Sequence, residues 1–363
     1  MTSRRTTLYE DHDEAGARFT DFGGWEMPVS FDSISIEHEA VRTNVGKFDV
    51  SHMSQIEVSG AQSTALMQRL VTNDVSDLSP GDAQYAAITN ESGVILDDTI
   101  IYRLEDAPAG ERYLFVPNAG HNDEMTYRWL SYRDDWQLSA EVTDRTDELG
   151  MIAVQGPEAI SLVSALVDVQ LDELSRFSHL TADIAGVEVR IARTGYTGED
   201  GVELIVPAAK APSVWAALEC QPCGLGSRDT LRLEAGLLLG GNEFDPEDNP
   251  RTPLEAGISF AVDLDSDFVG RDALVEQQET GLEQRLIGFG LQERGIPRGG
   301  YEILDEDEEQ IGTVTSGTQS PTLDRPIGLG YVDVAHAEVD TEVFVEVRGQ
   351  SKRGKVESLP FVG

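Results

Sequence analysis

Two adjacent acids, Asp97 and Asp98, interrupt the apolar run Val94-Ile95-Leu96 and pass straight into Thr99-Ile100-Ile101-Tyr102. The β-branched residues on either side make the stretch a strand. Strand side chains alternate faces, so one aspartate should point with the core and the other toward solvent. A carboxylate on the inner face is costly unless a partner or a substrate compensates it, which makes this pair a candidate acid–base site. The competing reading is that Asn90-Glu91-Ser92-Gly93 forms a hairpin turn and both acids lie at the surface, as they commonly do in an acidic chain.

Further candidates lie downstream. Gly195-Tyr196-Thr197-Gly198-Glu199-Asp200-Gly201 leads into a strand over 202–206 that carries Glu203 on one face. Its three glycines match neither the dinucleotide fingerprint nor a P-loop, and Glu199 and Asp200 would repel phosphate, so a tight turn is the better reading. Tyr196 offers a flat apolar face with a polar tip. Residues 224–236 read as a loop entering a helix with Arg228 near its start, where a cation opposes the helix dipole and needs an anionic or aromatic neighbour. His52 is a lone histidine of the kind usually satisfied in a core or turn. Cys220 and Cys223 have C-x-x-C spacing, but a zinc site needs two more ligands and the six histidines are scattered, so no metal is expected.

The 363 residues suffice for two or three packed units. Acids outnumber bases 66 to 27 for a formal charge of -39, which argues against nucleic acid and anionic membranes as partners. With 40% hydrophobic residues the chain is too apolar to be disordered. Its acids are spread evenly, as expected of a halophile protein kept soluble in concentrated salt. No stretch is apolar for the roughly 18 residues a bilayer requires, the N-terminus lacks a signal-peptide core, and two cysteines make no disulfide framework, so a cytoplasmic location is expected.

The elements that must position the candidates follow from periodicity. Residues 19–31 are aromatic and glycine-rich and break into short extended pieces at the glycine pair and Pro28. Helices are expected over 33–47, 61–70, 119–132 and 158–167, with strands after Met53 and over 113–117 and 151–154. From about residue 285, short strands over 286–291, 301–304, 312–315, 328–332 and 342–347 alternate with glycine, proline and acidic turns, which predicts a small antiparallel barrel or jelly roll.

Several strings, in order, resemble the aminomethyltransferase family of the glycine cleavage system, the T-proteins. They are Y-x-x-x-x-N-E-x-G-x-I-L-D-D-x-I-x-Y from Tyr85 to Tyr102, D-V-S-H-M at 49–53, R-x-G-Y-T-G-E-D-G-x-E at 193–203 and G-L-G-x-R-D-x-L-R-L-E-A at 224–235, and the resemblance covers nearly the whole chain. It implies an α+β, three-domain, folate-binding architecture with a C-terminal antiparallel β barrel. The expected boundaries are residues 1–50 with 145–245, 51–144, a connecting segment 246–284, and the barrel 285–363. It also implies tetrahydrofolate as substrate, no metal, and the lipoylated H-protein as partner, with ammonia released and methylenetetrahydrofolate formed. Asp98, with Asp97 second to it, becomes the catalytic carboxylate. Met53, Tyr85, Asp98, Ile100, Tyr102, Val116, Asn118, Tyr196, Glu203 and Arg228 become the folate-contacting positions. An amino-pyrimidinone edge presents two parallel donors that one carboxylate such as Glu203 can accept together. The chain departs from the family pattern at Ser54, where glycine is usual, at Gly240, where an aromatic is common, and at Gln319. A folate-dependent demethylase of the same fold is the alternative. A folate-binding relative concerned with iron–sulfur clusters fits less well, because its K-G-C-Y string has no cysteine counterpart in Arg193–Asp200.

Overall fold

The computed structural model describes residues 3–362. The chain forms two compact units: one takes residues up to Ala86, Asp97–Gly195 and Glu199–Arg228, the other Ala87–Leu96, Tyr196–Gly198 and Asp229 onward.

The first unit holds two sheets and a ribbon. The ribbon pairs Arg18–Phe22 with Trp25–Ser30 in the aromatic stretch. Gly23 and Gly24 both take positive φ, +57° and +79°, as the two central residues of a tight hairpin of this hand require. One sheet runs in the order His179–Ile184, Val187–Ala192, Gly201–Pro207, Leu149–Gln155, Gly46–Asp49, Gln221–Cys223. Its pairs are antiparallel except the last, which is parallel. Ile152, Val154, Val189, Ile191, Val202, Leu204 and Val206 build its core against Val163, Val214 and Trp215. Near-continuous apolar strands of this kind are those covered on both faces.

The other sheet carries the aspartates. Its order is Ala83–Thr89, Ile95–Ala107, Gly110–Val116, Ile56–Gly60, Glu141–Asp144. Helix Asn122–Asp135 anchors to it through Trp129, fully buried and stacked on Phe115 at 4.3 Å between centroids. This helix starts three residues later than its periodicity predicts, because Gly120 takes φ +81° and the turn around it lies outside the helix. Likewise the helix expected over 33–47 ends at Thr43, and Gly46–Asp49 is already strand.

In the second unit, Asn90 closes the tip of a hairpin, the turn of the competing reading, although Asp97 is buried and not at the surface as that reading had it. Its side chain accepts from Ser92 N at 2.9 Å and Val94 N at 3.1 Å, and Gly93 turns at φ +75°. The C-terminal strands close into a barrel in the order Gln284–Leu291, Arg325–Asp333, Gln310–Ser320, Glu302–Leu304, Glu342–Val347, Gln350–Glu357, every pair antiparallel. Ile287, Phe289, Val314, Val332, Val345 and Val356 fill it. Strand Gln350–Glu357 and helix Arg271–Thr280 were not legible from patterning: the strand is mostly polar and buries only Gly354 and Val356.

Candidate active site

Strand Ile95–Ala107 sorts its side chains by parity. Ile95, Asp97, Thr99 and Ile101 are buried, whereas Leu96, Asp98 and Ile100 on the opposite face are half-buried. Of the two acids, then, Asp97 takes the interior and Asp98 the accessible face. Ile100 pairs across the sheet with Val116, and the same register sets Asn118, just past the end of its strand, opposite Asp98.

Asp98 is not freely solvated as alternation alone suggests. Tyr85 donates its hydroxyl to Asp98 Oδ2 at 2.7 Å, and Asn118 Nδ2 donates to Asp98 Oδ1 at 2.6 Å. Burial, and then the charge of Asp97, push its carboxyl up to about 6, against the opposing pull of these two hydrogen bonds. A carboxylate poised near neutrality can both take and return a proton.

Asp97 is fully buried and well supplied with donors: Asp98 N at 2.8 Å, Asn118 N at 3.2 Å, Asn118 Nδ2 at 2.6 Å and His121 Nδ1 at 2.8 Å. Asn118 thus bridges both aspartates. Its loop is held in turn by Ser54, whose N–H donates to the Pro117 carbonyl at 3.1 Å and whose hydroxyl donates to the Asn118 carbonyl at 2.9 Å. Serine at this departure from the family pattern therefore adds a fastening that glycine could not make. Met53, half-buried, precedes it on the turn closed by Met53 N and the Val50 carbonyl at 3.1 Å.

A second carboxylate site lies in the other sheet of the same unit. Glu203 is nearly buried on strand Gly201–Pro207 and accepts from Thr194 Oγ1 at 2.6 Å. Thr194 Oγ1 also lies 3.4 Å from the hydroxyl of buried Tyr102, so the chain Tyr102, Thr194, Glu203 links the two sheets. Burial pushes the Glu203 carboxyl up, while the Thr194 bond and the positive charge of Arg228 draw it down. Arg228, in the first turn of helix Leu225–Glu234, thereby has the anionic neighbour its position demands. The same cation, with burial as the larger cause, drives the His52 imidazole down to about 3. His52 is fully buried with no hydrogen-bond partner on either ring nitrogen among the described residues, and Phe22 meets its ring edge-on at 5.5 Å.

Tyr196 belongs to the second unit, where its hydroxyl donates to the Leu238 carbonyl. Cys220 and Cys223 are free thiols that burial raises, Cys220 to about 11 and Cys223 further, the reverse of a reactive or metal-binding pair. Among the described residues no cluster of metal-ligating side chains occurs and no helix is long and apolar enough to cross a membrane. Neither His121 nor Thr194 carries a distinctive spacing in the sequence: His121 acts on Asp97, 24 residues away, and Thr194 on Glu203, nine residues away across a turn.

Residues 8–266 match the GCVT N-terminal domain, and residues 284–362 match the glycine cleavage T-protein C-terminal barrel domain. Probable aminomethyltransferases of the halophilic archaea Natronomonas pharaonis and Haloarcula marismortui are 57% and 58% identical. They align over 99% and 100% of this chain and 99% of each relative. An aminomethyltransferase of Rubrobacter xylanophilus is 47% identical over 99% of this chain and 94% of its own length. The crystal structure of the glycine cleavage system aminomethyltransferase T from Bartonella henselae superposes with a TM-score of 0.91 at 33% identity, over 99% of this chain and 98% of that one. Fold and relatives together define an enzyme that transfers a one-carbon unit. The chain belongs to the glycine cleavage T-protein family, the aminomethyltransferases. The demethylase alternative is not favoured, because full-length relatives carry the aminomethyltransferase name.

Proposed function

We propose that the chain takes an aminomethyl group from the lipoyl arm of an H-protein and passes its carbon to tetrahydrofolate. The C–N bond to the amine and the C–S bond to the lipoyl sulfur break, and two C–N bonds to folate nitrogens form. Ammonia, methylenetetrahydrofolate and the dihydrolipoyl carrier result, with the two folate N–H protons going to ammonia and to the thiol.

Asp98 is assigned to accept and relay the folate proton. The observation that carries this is its half-buried carboxylate, held by Tyr85 and Asn118 and raised to about 6. Glu203, steadied by Thr194 and Arg228, would receive the amino-pyrimidinone edge. Met53, Ile100, Tyr102 and Val116 complete the proposed folate contacts. Holding folate and arm in line can itself remove several kcal/mol from the barrier. No metal enters the scheme. We read the strand sets, 46–49 with 149–223 in one sheet, 56–144 in the next and 284–357 in the barrel, as three domains, the two sheets falling within one compact unit. The reading places the chain in the cytoplasm, where its two unbridged cysteines would stay reduced.

The test is release of ammonia and methylenetetrahydrofolate from an aminomethyl-lipoyl carrier protein in molar potassium chloride. Release that requires both carrier and tetrahydrofolate supports the reading. A folded, folate-binding protein that releases neither product overturns it.

A further inference from the structure

We propose that His121 is a positioning residue for the transfer reaction: it neutralises Asp97 from the solvent side and so governs how readily the neighbouring Asp98 ionises. The inference rests on the assignment of Asp98 as the acid–base group.

The geometry begins with a choice the sequence makes at a helix start. His121 occupies the position before helix Asn122–Asp135, where Ser, Thr, Asp or Asn would cap the exposed N–H groups, and its side chain makes no capping bond. The ring is instead turned onto Asp97 Oδ2 at 2.8 Å. Asp97 is a fully buried carboxylate whose other donors, Asp98 N, Asn118 N and Asn118 Nδ2, are all neutral. His121 is the donor that can bring it a positive charge, and a buried charge without a counter-charge is expensive. Its side chain is 37% exposed, so it can exchange protons with water while holding a group that cannot. The loop that presents it is fastened twice by Ser54, at the Pro117 and Asn118 carbonyls.

The electrostatics point the same way. The hydrogen bond to Asp97 raises the His121 imidazole above its ordinary range against the cost of burial, with the charges of Asp97, Glu124 and Asp98 adding to it. The groups facing Asp98 are Asp97, Tyr85 and Asn118, and Asp97 is the one whose charge lifts it. Asn118 Nδ2, at 2.6 Å from both carboxylates, cannot offset that charge because it is a neutral amide. A cationic His121 offsets it. Without His121 the full charge of Asp97 would act on Asp98, and Asp98 would ionise only at higher pH.

The experiment is the pH dependence of kcat, from pH 5 to 9 in molar potassium chloride, for the wild type, His121→Gln and His121→Arg. The wild type should lose rate as pH falls through about 6, where Asp98 protonates. In His121→Gln that acid limb should move up by about half to one pH unit, costing several-fold in rate at pH 6 and little at pH 8. His121→Arg, whose charge is permanent, should hold the limb at or below its wild-type place. A merely structural role would lower the rate equally at every pH. An unmoved limb in a folded His121→Gln protein overturns the inference and leaves the Asp98 assignment standing. If Asp98→Asn retains the wild-type limb, that assignment fails, and this role of His121 with it. NMR titration of the imidazole decides the pair independently of turnover. His121 should titrate above the ordinary histidine value and fall toward it in Asp97→Asn, and an ordinary value in the wild type overturns the inference.

Discussion

Replacing Asp98 by asparagine should make the protein less active and more stable together. The substitution is nearly isosteric, and the local bonds can be kept: the amide oxygen accepts from Asn118 Nδ2, and the Tyr85 hydroxyl turns to accept from the new NH2. What disappears is the ionised form. A rise from 3.8 to about 6 corresponds to roughly 3 kcal/mol by which the fold disfavours the Asp98 carboxylate above pH 6. Because Asp98 is half-buried, solvent screening reduces the recoverable part to about 1–3 kcal/mol. The sign follows from the raised value: the folded state binds the proton more tightly than the unfolded chain. The asparagine advantage is therefore full above about pH 6 and fades as pH falls toward 4, where wild-type Asp98 becomes neutral as well. Turnover should drop by about 10²–10⁴, the usual worth of a general acid–base group, with folate affinity changed far less. Thermal unfolding in molar potassium chloride at pH 8 and pH 4.5, beside single-turnover transfer at pH 8, measures both halves. A variant less stable than wild type at pH 8, or a stability gain independent of pH, would refute the account of Asp98 as a strained carboxylate. Equal losses of turnover and folate affinity would reduce its role to binding.

Glu203→Gln replaces one acceptor oxygen with a donor and leaves a folate N–H unpaired, so calorimetry should show folate binding weakened about 10–100-fold, and Thr194→Val should cost less than tenfold; unchanged binding in Glu203→Gln would place the pterin elsewhere. In the second unit, buried Glu243 accepts from Arg232 Nη1 at 2.7 Å, Leu239 N at 2.9 Å and Thr315 Oγ1 at 2.8 Å, and Arg232 is itself buried. Glu243→Leu removes the buried counter-charge and leaves the guanidinium the exposed Asp229, at 2.9 Å, as its remaining carboxylate partner, so it should destabilise by about 2–4 kcal/mol in chemical denaturation, whereas Glu243→Leu with Arg232→Leu should recover much of the loss; a double variant as weak as the sum of the singles contradicts this.

Much of the architecture follows from local rules within the chain. The Asn90–Gly93 turn, the alternation that separates Asp97 from Asp98, the glycine pair that closes the 18–30 ribbon and the apolar strands of the first unit all depend on neighbours a few residues away. The spread of 66 acids and the order of the family strings are likewise properties of the chain itself. Tertiary structure decided the rest, because charge and hydrogen bonding act through space. Which aspartate is buried became a matter of chemistry only when Asn118 and His121, more than twenty residues on, closed over Asp97. Glu203 required Thr194 from the loop just past strand Val187–Ala192 and Arg228 from a later helix start. Ser54, a departure when read as a letter, became a clamp once Pro117 and Asn118 lay beside it. A carboxylate's readiness to ionise is the sum of the charges, donors and water around it, and only the folded chain brings those together.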